Sequence, residues 1–533
     1  MSNALLESTA GVVQEALGVY DDDAAAREVL NTCARRLHDP LRLALAGMVK
    51  AGKSTLLNAL IGEQIAPTDA GECTRTITWY RYSDTPRVHV HPRDGGPVKR
   101  MPIRRDHGRL VLDFPGLKAE DVSWIDVEWP STSLRSTILI DTPGIASAST
   151  ETSARSTVFL TPDSAPSAAD AIIYLLRHVH ASDVGFLEAF RDTAAGATQT
   201  VNALAVLSRA DEVGSGRVDS LLSAARIAER YRTDGELRSL ALDIMPVAGL
   251  LAESARTLRE AEFAAFRQLA RLDRFDRDRM LVSVDRFTAP TDLVDVPPAE
   301  RRTLIARFGI FGVRLGALLV RGGADSSSVL AERLLQQSGL AGVQSFVDTH
   351  FRARSDVLKV RGVLHAVEEV VREKPRAGSG LLLSRIEQIG ASTHALRELS
   401  LLARARTGTL PLPADEAEEA ERLIGGSGTA WAERLGMPGL AHPSEAHVLV
   451  DDLLRRWHTR AQSPFSERDT VTVCRTVIRS IEDVASEIRT ATRPEWAAAD
   501  VDAGGAPAQD GGQQGDQQTG DAEAEGDGAG LAE

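Results

Sequence analysis

The apolar and polar positions change period twice along the chain. Between residues 4 and 38 they recur at helical spacing in two blocks, 4–19 and 23–38, with Ala4, Leu5, Val12, Val13 and Leu17 marking the first. From 41 to 247, short apolar runs alternate with helical stretches. The runs 41–46, 171–176, 201–208 and 241–247 predict strands, and 54–61, 183–192 and 218–232 predict helices. The β-branched and aromatic stretch TRTITWYRY at 74–82 predicts another strand. Residues 87–129 hold short strand-like pieces broken by turns such as PRDGG at 92–96. The runs 124–129 and 137–141 predict two neighbouring strands. Strands alternating with helices predict an α/β unit with a mostly parallel sheet covered on both faces. Past residue 249 the strand signal fades. Helical patterns then run to about 490, for instance Leu358, Val363, Val367 and Val370, and later Val477, Ile481, Val484 and Ile488. They predict a large α-helical bundle.

With 533 residues, 43% of them apolar, the chain has room for two or three domains. Its net charge of −14 is uneven: nine carboxylates and no Lys or Arg fall within 500–533, which leaves about −5 elsewhere. The rest is only mildly acidic and shows no basic face for nucleic acid, so no nucleic-acid partner is expected. The tail after Pro494 is Gly, Gln, Ala and acid, with Trp496 its one aromatic, and is expected to be disordered. Three scattered cysteines, Cys33, Cys73 and Cys474, fit a reducing cytoplasm rather than a disulfide framework or metal site. The start MSNALLESTAG has no basic residue ahead of its apolar stretch, so no signal peptide is expected. The longest apolar run, 308–320, is short for a spanning helix and is broken by Arg314. Membrane contact is therefore expected to be peripheral.

Chemistry enters where the first strand meets the helix behind it. Gly47, Gly52, Lys53 and Ser54 stand in the spacing G-x-x-x-x-G-K-S. Glycines let backbone N–H groups turn toward a phosphate, and the following helix adds its positive N-terminal dipole. Lys53 would reach the outer phosphates and Ser54 would place a hydroxyl on Mg²⁺. A second motif, Asp141-Thr142-Pro143-Gly144, ends an apolar strand. Its Asp141 would order a Mg²⁺-bound water, and the Gly144 N–H would meet the terminal phosphate and sense its loss. Between the two motifs, Thr74 or Thr76 could supply a hydroxyl as Mg²⁺ ligand and switch.

The third motif concerns the base. Ser208-Arg209-Ala210-Asp211 follows the apolar VNALAVL. A carboxylate here accepts both ring N–H groups of guanine, a donor edge that adenine lacks. The usual pattern is Asn or Thr, Lys, any residue, Asp. Arg209 keeps a long charged stem to lie over the base, whereas Ser208 is a shorter tether, so guanine specificity with modest affinity is expected. After the next strand, the Ala248 N–H would close over the guanine oxygen. Ile145 stands where small GTPases carry a water-orienting Gln, and no general base adjoins the loop. Basal hydrolysis should be slow and completed by a partner or a second copy. Lys50, inside the loop, reads either as a cation offsetting charge between the β- and γ-phosphates or as a solvated surface lysine. His178 and His180 read as loop residues, not metal ligands.

With these motifs placed, the chain resembles the bacterial dynamin-like proteins, more narrowly the actinobacterial isoniazid-inducible, IniC-type family. The resemblance rests on 44–81, the DVEWP and ILIDTPG segments within 126–144, 207–217, 281–287, 300–315, 338–348 and 424–429, and covers the chain to about 490. In that family the switch threonine lies in a Thr-Arg pair, which matches Thr74-Arg75 and not Thr76. The resemblance implies four regions: 1–40, helices packing with the bundle; 41–352, a dynamin-type GTPase domain; 353–492, a helical neck or trunk; 493–533, a tail. It implies GTP and GDP as ligands with Mg²⁺, the metal held by Ser54 and Thr74 and, through water, Asp141. The catalytic set is Lys53, Ser54 and Thr74. The nucleotide-contacting set is Gly47, Lys50, Ala51, Gly52, Lys53, Ser54, Thr55, Asp141, Gly144, Arg209, Asp211 and Ala248. Dynamins commonly place a small polar residue where Lys50 sits and use it with a monovalent cation; Lys50 would stand in for that cation. The family further implies GTP-dependent dimerisation across the nucleotide face and membrane remodelling; a companion dynamin-like protein is a further candidate partner, and the expected location is cytoplasmic, peripheral on the inner face of the plasma membrane. A competing reading is a nucleotide-gated scaffold that assembles a partner without deforming lipid, and a third is an ATPase.

Two segments suit an anionic membrane surface. Between Lys374 and Leu383, preceded by Arg372, the cations Lys374 and Arg376 adjoin Leu381, Leu382 and Leu383, each cation being worth about 1 kcal/mol at a headgroup layer. Between Gly425 and Pro443 lie Trp431, Leu435, Met437 and Leu440. Up-and-down packing would bring both to the same end. The competing reading buries the leucines in the bundle.

Overall fold

The computed structural model describes residues 2–67, 76–106, 109–111, 119–144, 159–160, 168–195, 201–233, 236–437 and 443–491. Its strands are β1 (Leu41–Gly47), β2 (Ile77–Tyr82), β3 (Arg87–Pro92), β4 (Lys99–Met101), β5 (Arg104–Asp106), β6 (Arg109–Val111), β7 (Val122–Trp129), β8 (Thr137–Asp141), β9 (Ala171–Leu176), β10 (Ala203–Ser208) and β11 (Asp243–Val247). Nine form one mixed sheet in the order β11-β10-β9-β1-β8-β2-β7-β3-β4, and β5 and β6 pair as a separate ribbon. The five strands from β11 to β8 are parallel. Of these, β1, β9 and β10 are apolar runs buried along their whole length, as strands covered on both faces must be. The other half is built around β2, antiparallel to β8 and parallel to β7. There β7 alternates buried and wetter positions, so one face stays partly open.

The sheet corrects one expectation. The runs 124–129, within β7, and 137–141 are not neighbours, because β2 lies between them, with Thr78 opposite Ile125 on one side and Asp141 on the other. Alternation tells which side chains face the core; it does not tell which strand comes next.

Helices Ser2–Val19 and Ala24–His38 pack their apolar stripes, including Val12, Val13, Leu30 and Cys33, against Val360, Val363 and Val367 of helix Ser355–Glu373. Asp23 caps the second helix by accepting from the Ala26 N–H at 3.0 Å. Arg36 near its end meets the buried Asp170 carboxylate at 2.6 Å. The other Asp170 oxygen accepts from the Arg42 N–H in β1 at 2.8 Å. One carboxylate thus ties the N-terminal helices to the sheet. Helices His394–Arg406, Ala414–Leu423 and Arg468–Ala491 share an apolar core with the sheet through Phe346, Phe351 and Leu358.

Helix Pro298–Arg321 is long and apolar enough to cross a membrane by length and composition. It breaks at Gly309, whose φ of 63° and ψ of 173° are non-helical. Phe308, Phe311, Val313 and Ala317 are buried among Leu251, Phe266 and Leu269, so it is packed as a core helix.

Parts of the two segments expected to meet lipid are engaged within the fold. Lys374 pairs with Asp23 at 2.8 Å, Arg376 with Asp22, and Arg372 with Glu368. Leu382 is buried, and Leu381 is the exposed member of the three leucines. In the second segment Leu435 is buried and Trp431 and Met437 pack on the core, while Leu440 lies outside the described residues. Nor do the two share an end. The Gly425 carbonyl accepts from Arg354 at 2.6 Å, just before helix Ser355–Glu373, and Lys374 follows that helix. Nineteen helical residues separate them by about 28 Å. The tail expected to be disordered lies outside the described residues.

Candidate nucleotide site

The site forms at the carboxyl ends of β1, β8 and β10, where the loops after parallel strands converge. Gly47 ends β1 with φ of 139°, and a Cβ there would sit 2.2 Å from the Leu175 carbonyl oxygen in β9. Only glycine lets the strand turn into the loop this close to its neighbour. Ala51 is buried, and Lys50 is exposed with φ of 62°. Gly52, at φ 95°, precedes helix Lys53–Ile61, whose first residues are Lys53, Ser54 and Thr55.

Lys53 is buried, and its ammonium donates to the Gly47 and Met48 carbonyls at 3.1 and 3.2 Å. Burial pushes its pKa down, against the pull of Asp141. The Ser54 hydroxyl donates to Asp141 Oδ2 at 2.7 Å. Burial pushes the Asp141 carboxyl up, opposed by Lys53 and Ser54. Its Oδ1 is buried without a hydrogen-bond partner. An orphaned carboxylate oxygen beside a hydroxyl is an all-oxygen donor set, which fits a hard divalent cation such as Mg²⁺. Thr142 Oγ1 donates to the Leu45 carbonyl at 2.8 Å and holds the DTPG turn on β1. A Cβ at Gly144 would come within 2.7 Å of Val49 Cα, so a glycine is needed for this turn to touch the phosphate loop. Thr74, Arg75 and Ile145 lie outside the described residues. Thr76 is buried, its carbonyl accepting from Thr78 Oγ1 at 3.5 Å.

Beside the phosphate loop lies a cavity of about 160 Å³, lined by Ala51, Gly52, Thr55, Leu175, Ser208, Arg209, Asp211, Val247, Gly249 and Leu250 among others. Asp211 is 8% exposed, and burial pushes its carboxyl up. Ser208 Oγ donates to the Leu176 carbonyl at 3.0 Å, which ties the motif to β9. Arg209, in the left-handed region at φ 53°, reaches the Lys50 carbonyl at 2.9 Å and Glu212 at 2.7 Å.

Ala248 is a correction. It is fully buried, and its N–H already donates to the Ser338 carbonyl at 2.9 Å. The cavity wall there is formed by Val247, Gly249 and Leu250, the last two opening helix Gly249–Arg256. The strand end alone does not tell which amide is left free there, since that depends on the partner that Ala248 finds 90 residues away. Gly309 was also missed. A Cβ on it would be 3.8 Å from Asp211 Oδ2 and 4.0 Å from Leu250. Its signal in the sequence is a glycine inside a long apolar helical pattern.

The profile of the dynamin family matches residues 43–188, a span that holds the phosphate loop and the DTPG turn. The isoniazid-induced protein IniC of Mycobacterium tuberculosis is 38% identical over 458 residues, covering 86% of this chain and 92% of that protein. The bacterial dynamin-like protein of Nostoc punctiforme is 34% identical over 114 residues, covering 20% of this chain and 16% of that protein. A solved chain from an oligomerised bacterial dynamin pair overlays with a TM-score of 0.34 at 11% identity, covering 94% of this chain and 78% of that one. The chain belongs to the dynamin family, as a bacterial dynamin-like protein of the isoniazid-induced IniC type.

Proposed function

We propose that this protein binds GTP·Mg²⁺ and hydrolyses it slowly when alone, with 41–352 acting as the GTPase unit. The observation that carries the reading is the Ser54–Asp141 contact at 2.7 Å with Asp141 Oδ1 left unpartnered, next to a cavity walled by Asp211. Lys53 and the loop amides hold the phosphates. Ser54, Thr74 and, through water, Asp141 hold Mg²⁺, which would neutralise charge on the β- and γ-phosphates. The Gly144 N–H faces the terminal phosphate. Asp211 accepts from the guanine ring N–H groups, and Arg209 lies along the base toward the loop. With Ile145 after the DTPG turn, no side chain there can orient the attacking water through an amide. Turnover therefore rises when a second copy, or a companion dynamin-like protein, covers the nucleotide face. Family membership supports coupling of this cycle to peripheral remodelling of an anionic membrane from the cytoplasmic side.

The test is GTP turnover against protein concentration, with and without anionic liposomes, paired with liposome flotation in each nucleotide state. Turnover per molecule should climb with concentration and climb further with liposomes. Flat turnover at all concentrations would remove the role of a second copy. Absence of flotation in every state would replace remodelling by a nucleotide-gated scaffold. Competition between GTP and ATP separates both from an ATPase.

A further inference from the structure

The helix that is apolar enough to suggest a membrane span is tied to the base-selecting loop. Helix Pro298–Arg321 carries three inward arginines, each donating to main-chain oxygens of a different segment. Arg301 donates to Phe287 at 2.6 Å and Val296 at 3.0 Å. Arg307 donates to Thr257 at 2.8 Å. Arg314 donates to Leu281 at 2.7 and 2.9 Å and to Val282 at 3.0 Å, and on its other side to Ser215 at 3.4 Å and to Gly216. Ser215 and Gly216 end the loop that begins with Asp211. Gly214, Ser215 and Gly216 all take positive φ, 63°, 64° and 68°. The two glycines adopt such φ freely, but at Ser215 it costs energy and must be held by the surroundings, and the Arg314 guanidinium caps the Ser215 and Gly216 carbonyls.

The break at Gly309 completes the contact. With φ 63° and ψ 173° the helix stops and restarts, which puts the Gly309 backbone beside Asp211 Oδ2 and Leu250 and lets Ile310 and Phe311 seat Gly216. An L-residue at this dihedral pair is strained, so a side chain at 309 would favour a different path for the helix.

We infer that Gly309 and Arg314 are positioning residues for guanine recognition, holding the loop from Asp211 to Gly216 so that the Asp211 carboxylate stays at the cavity wall. The inference rests on the reading of Asp211 as the base-selecting group. It makes guanine affinity depend on a helix outside the nucleotide-binding motifs.

The experiment is a double-mutant cycle on the full chain, with GDP and ADP affinities measured by displacement of a fluorescent GDP analogue for wild type, R314A, D211N and R314A/D211N. R314A should weaken GDP binding by about tenfold, the scale of losing hydrogen bonds from a charged donor, and leave ADP binding unchanged. The double variant should bind GDP no more weakly than D211N, since both changes act through one carboxylate. R314K, which keeps the charge without the fork, should recover part of the affinity. Equal loss for GDP and ADP in R314A, or additive losses in the double variant, overturns the positioning role while leaving Asp211 in place. A D211N variant that binds GDP like wild type overturns the base assignment and this inference together. If R314A is not recovered folded, the same cycle run with G309A decides by the same criteria.

Discussion

The Arg209 guanidinium donates to the Lys50 main-chain oxygen at 2.9 Å, joining the base motif to the phosphate loop across 159 positions of sequence. The two motifs are therefore one mechanical unit, and the exposed turn at Lys50, with φ of 62°, is held from the base side. Arg209→Ala should weaken GTP binding about fivefold, the scale of one net hydrogen bond, with kcat at saturating GTP unchanged. Lys50→Ala should do the reverse, lowering kcat on the order of 10²-fold with little change in KM, because a cation opposite developing phosphate charge acts in the transition state. Steady-state phosphate release measures both. An unaltered kcat in Lys50→Ala would assign that lysine to solvent.

Lys53 is buried and Asp141 half-buried, opposite charges at the mouth of the loop. Lys53→Ala should abolish phosphate release. Asp141→Asn should keep GDP binding within a few-fold but make it insensitive to Mg²⁺, since the orphaned oxygen then loses its charge. Titrating Mg²⁺ against GDP affinity checks this, and an intact Mg²⁺ dependence in Asp141→Asn would place the metal elsewhere.

Asp211 couples function to stability. Its folded pKa is raised by burial, so its contribution to stability is present below the ordinary carboxylate range and is lost as pH rises through the folded value. At neutral pH the ionised group destabilises the nucleotide-free fold. Asp211→Asn should therefore raise the Tm of the nucleotide-free protein at pH 7 while selectively weakening GTP binding. Read as a difference, the Tm gain of this variant over the unsubstituted protein should grow as pH rises from acid to neutral, whatever the slope set by the other groups. A lower Tm at pH 7 would contradict this account.

His350 predicts the acid limb. Its ring stacks on Phe346 at 4.1 Å between centroids, with Nε2 3.3 Å from the Gly426 carbonyl. Burial, with Arg354 nearby, lowers its pKa from 6.5 to about 4. A depressed base gives stability that is full above pH 6.5 and is lost as pH falls toward 4, by roughly 3 kcal/mol. Thermal unfolding from pH 7 to 4.5 should show the decline, and His350→Gln should show a shallower one. Parallel pH profiles for the two proteins would remove His350 from the acid response.

The chain's periodicity and turn chemistry placed β1, β9, β10, the phosphate loop, DTPG and SRAD without help from the fold. Each is a local matter: an apolar run, a glycine where the backbone must turn, a polar residue at a strand end. Neighbourhood is not local. Sequence alone could not put β2 between β7 and β8, pair Lys374 and Arg376 with Asp23 and Asp22, or give the Ala248 amide to Ser338, because those outcomes depend on which distant surfaces fit. The apolar helix shows the division. Its composition was legible as a stretch interrupted by Arg314. Only packing decided that the arginine would cap Gly216, and that the break at Gly309 would bring the helix within reach of Asp211, since side-chain hydrogen bonds and backbone strain are satisfied by partners a hundred residues away.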